Sequence, residues 1–340
     1  MNTRFTTLAL TALLLSMPGC IVLVSTPTDD NGNPPANDND PGGGGTPGGG
    51  QPIGLPAEDK IEILLHDRTI RRYFVHQPEG WDGVTPLPVV LNFHGGSSTP
   101  ETQAEASQMD VLADEKDFLV VYPEGTGPGV ERDNYTWNAG GCCGYAMENS
   151  VDDVGFVAAL LDDLTEHYTI DRRRVYATGM SNGAMMAHRV GVELADRIAA
   201  IAPVAGSLML ENPPQPARPV PVMHFHGLLD QNAPFNGGQS QNPLNPVEQN
   251  SIPETIAWWA QADGADPDAT TTTFTDYIEE RHEPLSAEGA PVVLITLPEG
   301  GHTWPGGVDV TAGLNTGPLV ESVDASGMMW NFFSGFALPE

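Results

Sequence analysis

Six short apolar runs, separated by stretches with helical spacing, constrain this chain more than any other feature. They read LPVVLNFH (87–94), FLVVYP (118–123), RVYATGM (174–180), IAAIAPVAG (198–206), VPVMHFHG (220–227) and PVVLITLPE (291–299). Runs this rich in Val, Ile and Leu, with little polar alternation, suit parallel strands covered on both faces. Two earlier runs, IEILLH (61–66) and TIRRYFVHQ (69–77), do alternate. A turn at Asp67-Arg68 joins them, which predicts an antiparallel hairpin at the N-terminal edge of the sheet. Helices are predicted over 102–117, 151–168, 182–195, 252–264 and 322–336. In the second, Val154, Val157, Ala158, Leu161 and Leu164 form one apolar face. Alternation of this kind means an α/β fold, with a mainly parallel, doubly wound sheet and right-handed crossovers. Such sheets bind ligands at the carboxyl ends of their strands, so reacting side chains are expected just after strands.

The residues before the first strand read differently. Residues 1–19 carry one early cation, Arg4, then the apolar stretch LALTALLLSM, then small residues ahead of Cys20. This is a secretory leader, too short for a membrane span. The ending SMPGC resembles a bacterial lipobox, which would make Cys20 a lipidated N-terminus and the protein a secreted, envelope-anchored lipoprotein. The competing reading is ordinary leader cleavage beside an incidental cysteine. From Ser25 to Gln51 no large apolar residue follows, only Pro, Gly, Asn, Asp, Thr and one Ala, so residues 20–56 are expected to be a tether without a core of their own. Asp29, Asn31, Asn33 and Asp40 resemble a calcium loop only in passing, because Pro34 stands where such a loop needs Gly. Residues 57–340 then form a single catalytic domain, without a second linker or an internal repeat. A formal charge of −31, from 14 Lys and Arg against 45 Asp and Glu, excludes nucleic acid and anionic surfaces as partners. Membrane contact is expected through the anchor only, and the domain is expected to be a monomer.

Against this frame the pentad Gly179-Met180-Ser181-Asn182-Gly183 acquires meaning. In a chain with 38 glycines the pentad alone is a weak signal. Its place at a strand-to-helix join makes Ser181 a candidate nucleophile, with the glycines leaving room for a sharp turn. A serine needs a base, and the base an orienting acid. Asp230 follows the strand ending HFHG, and His302 follows the strand ending LPE, after two glycines. The order Ser181, Asp230, His302 is that of α/β-hydrolases. His226 and His282 are the competing histidines for the base. For the oxyanion, the backbone N–H groups of Gly96 and of Asn182 are the candidate donors, since His94-Gly95-Gly96 also follows a central strand. No cofactor and no metal are called for.

The motifs NFHGG, YPEGT, TWNAGGCCG, VDDVGFV, GMSNGAMM, HFHGLLDQNAPFNGG, SIPETIAWWA and GGHTWPGG occur in one order over about residues 60–336. In this the chain resembles the secreted polyhydroxybutyrate depolymerases and feruloyl esterases, α/β-hydrolases close to carbohydrate esterase family one. The resemblance implies a single α/β-hydrolase domain with Ser181 as nucleophile, Asp230 as acid and His302 as base. It also implies an ester substrate, either a feruloyl or acetyl ester of plant polysaccharide or a hydroxyalkanoate oligomer. A non-catalytic carbohydrate-binding protein on the same scaffold is the reading of another class, and a complete triad argues against it. The chain departs from many relatives where it reads QADGADPD, with Ala265 in place of a paired cysteine.

Cys142-Cys143 leaves two readings open, a vicinal disulfide or two buried thiols. A trans peptide would hold their Cα atoms ~3.8 Å apart, closer than the ~4.4–6.8 Å of ordinary bridges. Trp137 and Trp304 are expected to line the substrate cleft, with core packing as the competing reading.

Overall fold

The computed structural model describes residues 60–129, 134–240, 247–310 and 316–340. The leader, Cys20 and the tether with its Asp29 to Asp40 cluster lie outside the described residues. The hairpin comes first, as β1 (Lys60–His66) and β2 (Thr69–His76), with Leu65 opposite Ile70. β3 (Leu87–Phe93) is followed by α1 (Pro100–Ser107), α2 (Met109–Lys116) and β4 (Leu119–Pro123). Next stand α3 (Gly144–Glu148), α4 (Asp153–His167), β5 (Ile170–Met180), α5 (Asn182–Glu193) and β6 (Ala200–Val204). β7 (Val222–Gly227) precedes two short strands, β8 (Gly238–Gln239) and β9 (Glu248–Gln249), which pair with each other. The chain closes with α6 (Ile252–Ala262), β10 (Thr270–Thr273), β11 (Ile278–His282), β12 (Val292–Leu297) and α7 (Ala325–Phe333).

The described residues form a ten-stranded sheet in the order β1-β2-β4-β3-β5-β6-β7-β12-β11-β10. From β4 to β12 neighbouring strands run parallel. Every residue of β3, β6, β7 and β12 is buried, as their apolar runs require. α4, α5 and α6 cover one face, where Phe156, Leu160, Val190 and Trp259 meet Val89, Leu91 and Val222. α2 and α7 cover the other, with Tyr176 stacked on Phe333 at 4.7 Å and Phe118 on Trp330 at 4.1 Å. The sheet is therefore doubly wound.

Two expectations need correction, and the sheet holds one further element that no expectation covered. The sheet has an antiparallel hairpin at both edges, not only at the N-terminal one, because β10 and β11 extend it beyond β12. β10 is four exposed threonines and β11 is half-buried, so neither carries an apolar signal. The helix expected over 102–117 is two helices, broken at Gln108, whose φ is 50°. Tertiary bonds end the first one. Val308 N–H donates to the Ala106 carbonyl at 3.0 Å, and the Ser326 hydroxyl to the Ser107 carbonyl at 2.8 Å. In α4, Phe156 and Leu160 are buried deeper than Val154 and Ala158, which rotates its inner face from the one expected. Ala265 is buried and donates its N–H to the Ala260 carbonyl at 2.8 Å.

Candidate active site

Ser181 joins β5 to α5 with φ 58° and ψ −121°, a backbone that a residue with a Cβ rarely adopts. The glycines make the turn fit. A Cβ on Gly179 would lie 2.5 Å from the Phe93 carbonyl oxygen and 2.7 Å from that of Gly183, and a Cβ on Gly183 would press on the same Phe93 carbonyl. Strain of this kind costs about 1–3 kcal/mol. A single buried Val, Leu or Phe stabilises by roughly 1.5–3 kcal/mol, so Leu87, Val89, Val90, Leu91 and Phe93 of β3 outweigh it. Ser181 N–H is fixed on the Val204 carbonyl at 2.9 Å, and its own carbonyl accepts the first helical bond, from Met185, at 3.0 Å.

Asp230 and His302 come together. The loop after β7 buries Asp230, and the loop after β12 brings His302 Nδ1 to its Oδ2 at 2.7 Å. The other oxygen, Oδ1, accepts from Asn232 N–H at 2.9 Å and Ala233 N–H at 2.7 Å. Burial works against a charge on Asp230, but the imidazole of His302 and the turn amides outweigh it and hold the carboxyl below its usual range. The acid is therefore ionised. Ser181 stands at the same sheet edge, and among the described residues no hydrogen bond joins it to His302. Such bonds are often loose without substrate. The competing histidines are placed elsewhere. His226 Nε2 lies 3.6 Å from Asp230 Oδ2 but bonds to the Ala233 carbonyl at 2.7 Å. His282 lines a cavity of about 830 Å³ between α6 and β11–β12, to which no triad residue contributes.

The loop after β3 lies against the elbow. A methyl on Gly95 would sit 3.6 Å from Ser181 Cβ, and one on Gly96 would sit 3.6 Å from Asn182 Cβ. His94, which sequence reasoning left without a role, orients this loop. Its Nε2 accepts from Gly125 N–H at 3.0 Å, so Nδ1 carries the proton and donates to the Gly95 carbonyl at 2.7 Å. With that carbonyl turned to the ring, the Gly96 N–H on the far side of the same trans peptide points the other way. Burial pushes the His94 pKa down to about 4, which keeps the ring neutral and this tautomer in place.

Trp137 and Trp304 do not line an open cleft. Trp137 is 0% and Trp304 2% exposed, and the Trp304 indole donates to Ser326 at 3.0 Å within the core. Trp137 ties the two halves of the site together from beneath. Its backbone exchanges hydrogen bonds with the Asn182 side chain at 2.7 and 3.0 Å, and its indole donates to the His94 carbonyl at 2.9 Å. Cys142 and Cys143 are buried beside Met185 in the first turn of α5, with their sulfurs in contact. The peptide between them is cis, so the expected trans spacing does not hold and their Cα atoms stand 3.1 Å apart.

The chain matches the family described as Esterase PHB depolymerase over residues 72–215. It is 33% identical over 267 residues to the "Putative esterase NocK" of Nocardia uniformis subsp. tsuyamanensis, a match covering 72% of this chain and 74% of that protein. With Feruloyl esterase B of Piromyces equi it shares 29% identity over 275 residues, which is 79% of this chain but 46% of that one. The chain thus spans under half the length of that relative. Among solved structures it is similar to an acetyl xylan esterase from Aspergillus awamori, with a TM-score of 0.52 over 72% of this chain and 94% of that one. At 17% identity this likeness is one of fold, and the fold is that of the α/β-hydrolases.

Proposed function

Since the chain belongs to the Esterase PHB depolymerase family, we propose that it hydrolyses carboxylic esters with Ser181 as nucleophile, His302 as base and Asp230 as orienting acid. The observation that carries this reading is the 2.7 Å bond from His302 to a buried, ionised Asp230, at the strand ends where Ser181 holds its strained turn. With Nδ1 on Asp230, His302 Nε2 takes the Ser181 proton as Oγ attacks the ester carbonyl. The tetrahedral oxyanion is met by the N–H groups of Gly96 and Asn182, each worth ~2.7–4 kcal/mol in comparable sites. Collapse returns the proton to the leaving alcohol and forms the acyl-enzyme. Water, deprotonated by His302, then releases the acid and restores Ser181.

For substrate, we favour a feruloyl or acetyl ester of plant polysaccharide, in line with the named activity of Feruloyl esterase B. The family description favours, as a second reading, a hydroxyalkanoate oligomer. The chain acts as a secreted lipoprotein held at Cys20, with residues 20–56 as spacer and residues 57–340 as the catalytic unit. The adjacent cysteines are bridged, which the contact between their sulfurs supports, and denatured protein should then show no free thiol until it is reduced.

The decisive test is a fluorophosphonate probe followed by peptide mapping. One label on Ser181, absent from Ser181→Ala, is the outcome expected, whereas labelling that survives the substitution overturns the assignment. Turnover of methyl ferulate, acetylated xylan and 3-hydroxybutyrate oligomers then separates the substrate readings.

A further inference from the structure

Behind Asp230 runs a file of buried imidazoles that the proposed reaction does not use. His224 and His226 are two apart on β7 and so project from one face of the sheet, toward α5 and α6. Their rings stack at 5.4 Å and 10°. His188 of α5 stacks on His224 at 5.4 Å and 20°, and Trp259 of α6 closes the file beyond it. All three histidines are buried, with exposures of 0%, 0% and 1%.

The hydrogen bonds fix where every proton sits. A carbonyl only accepts, so His226 Nε2 carries the proton that binds Ala233 O at 2.7 Å. Its Nδ1 is then a bare acceptor, and the proton in the 3.2 Å contact with His224 must come from His224 Nε2. At the other end the Trp259 indole donates to His188 Nδ1 at 2.9 Å, which places that ring's proton on Nε2 as well. Three neutral rings in one tautomer result. Burial favours the same state, holding His226 and His224 below the ordinary histidine range and His188 at about 3. His224 Nδ1 has no partner among the described residues. Aliphatic side chains would fill this space without that cost.

The end of the file lies at the acid. Ala233 is held twice, its N–H by Asp230 Oδ1 and its carbonyl by His226 Nε2. That clamp closes the turn 230–233 and leaves Asp230 Oδ2 facing His302 Nδ1. We propose that His226 is a positioning residue for the catalytic acid, fixing the Asp230 turn through Ala233 while His224 holds it in the neutral form that leaves the carboxylate to His302. A second proton on His226 would put a cation 3.6 Å from Asp230 Oδ2, in competition with the base. His224 Nε2–H blocks the nitrogen that would take it. The charged and titratable groups around His226 are His224 on its own strand, His188 from α5, and Asp230 and His302 from the two loops. Phe235 covers its remaining side, ring edge to ring face, at 5.9 Å.

The inference rests on the triad proposed above, and its test separates the two. His226→Phe keeps a ring in the file and removes both nitrogen functions, whereas His226→Gln restores an N–H for Ala233. With a small soluble ester, His226→Phe should lower kcat on the order of 100-fold, the cost of a misplaced catalytic group, with KM unchanged. The acid limb of its kcat/KM profile should move to lower pH, since a less well aimed carboxylate supports the imidazolium less. His226→Gln should recover most of the loss. Unchanged kcat, or a loss confined to KM, would overturn the proposal, and so would an acid limb that stays in place. If His226→Phe does not fold, long-range ¹H–¹⁵N spectra of the histidine-labelled full-length wild type decide instead. Three neutral rings protonated at Nε2, unmoved between pH 5 and pH 9, are expected, and a titrating His226 sinks the idea. Failure of the triad itself would show separately, as a Ser181→Ala protein that keeps its activity.

Discussion

Asp230 and Asp263 are both carboxylates removed from water, and their surroundings drive them in opposite directions. Asp230 has two turn amides on one oxygen and His302 on the other, and its pKa falls below the usual range although burial opposes this. Asp263, which ends α6, has one amide, Val220 N–H at 2.8 Å, on Oδ1, and its Oδ2 has no hydrogen-bond partner among the described residues. Burial dominates there, only partly offset by Val220 N–H and the charge of Arg218, and the pKa rises to about 8. Burial alone therefore makes a neutral acid; the number of donors makes a charged one. Only the charged one can steady an imidazolium.

The largest effect that separates the two is catalytic. Asp230→Asn keeps the size of the side chain but removes the charge and lets His302 adopt the wrong tautomer. In a Ser-His-Asp site this lowers kcat about 10⁴-fold. Asp263→Asn should leave kcat and KM on the same ester nearly unchanged, because Asp263 bonds to Val220 and shares no partner with the proposed triad. Steady-state kinetics on the pair check both, and equal losses would mean that Asp230 acts through folding, not through His302.

The two regions of the site also differ in how much of them the sequence discloses. The elbow is local. Gly179, Ser181 and Gly183 lie within five residues, and the steric need for both glycines, against the Phe93 carbonyl, follows from the strand-to-helix join. Asp230 and His302 were legible as well, because each follows a strong apolar strand. What holds them was not. His226 and Trp137 act through Ala233 and Asn182, and His94 through a ring tautomer set by Gly125, 31 residues away in the chain. Side chains whose partners come from other elements leave no spacing to read. Of the two readings open for Trp137, cleft wall and core packing, its 0% exposure favours the second. The β10–β11 edge was missed for a related reason. Four exposed threonines pair by backbone alone and give no hydrophobic period.

A smaller contrast should appear in acid. The folded pKa of Asp230 lies below the unfolded value of ~3.9, so its contribution to stability is present above that pH and is lost as pH falls through the folded value. Each unit of difference is worth about 1.4 kcal/mol. Urea midpoints measured from pH 6 down to pH 3 should fall less steeply in Asp230→Asn than in wild type. Identical slopes would mean that the carboxylate gains nothing from His302 and the turn.

The smallest effect lies on the alkaline side, at Asp263. Here the folded pKa of about 8 stands above the unfolded ~3.9, so the sign reverses. The folded state binds the proton more tightly than the unfolded chain. Stability from this group is complete below pH 4 and drains away as pH rises toward 8, because the unfolded chain ionises over that range while the folded carboxyl stays protonated. Asparagine keeps the acceptor for Val220 N–H and never ionises. Asp263→Asn should therefore exceed wild type only slightly near pH 5 and by more at pH 9, the added gain being at most about 1.4 kcal/mol per pH unit between 5 and the folded pKa. Arg218 sets the upper limit of that gain, since its charge already offsets part of the burial. Removing it, in Arg218→Met, should widen the difference between the aspartate and asparagine proteins at pH 9. Urea unfolding of the four proteins at both pH values measures it. A gain as large at pH 5 as at pH 9 would trace to packing instead of ionisation, and the contrast with Asp230 would then lose its second half.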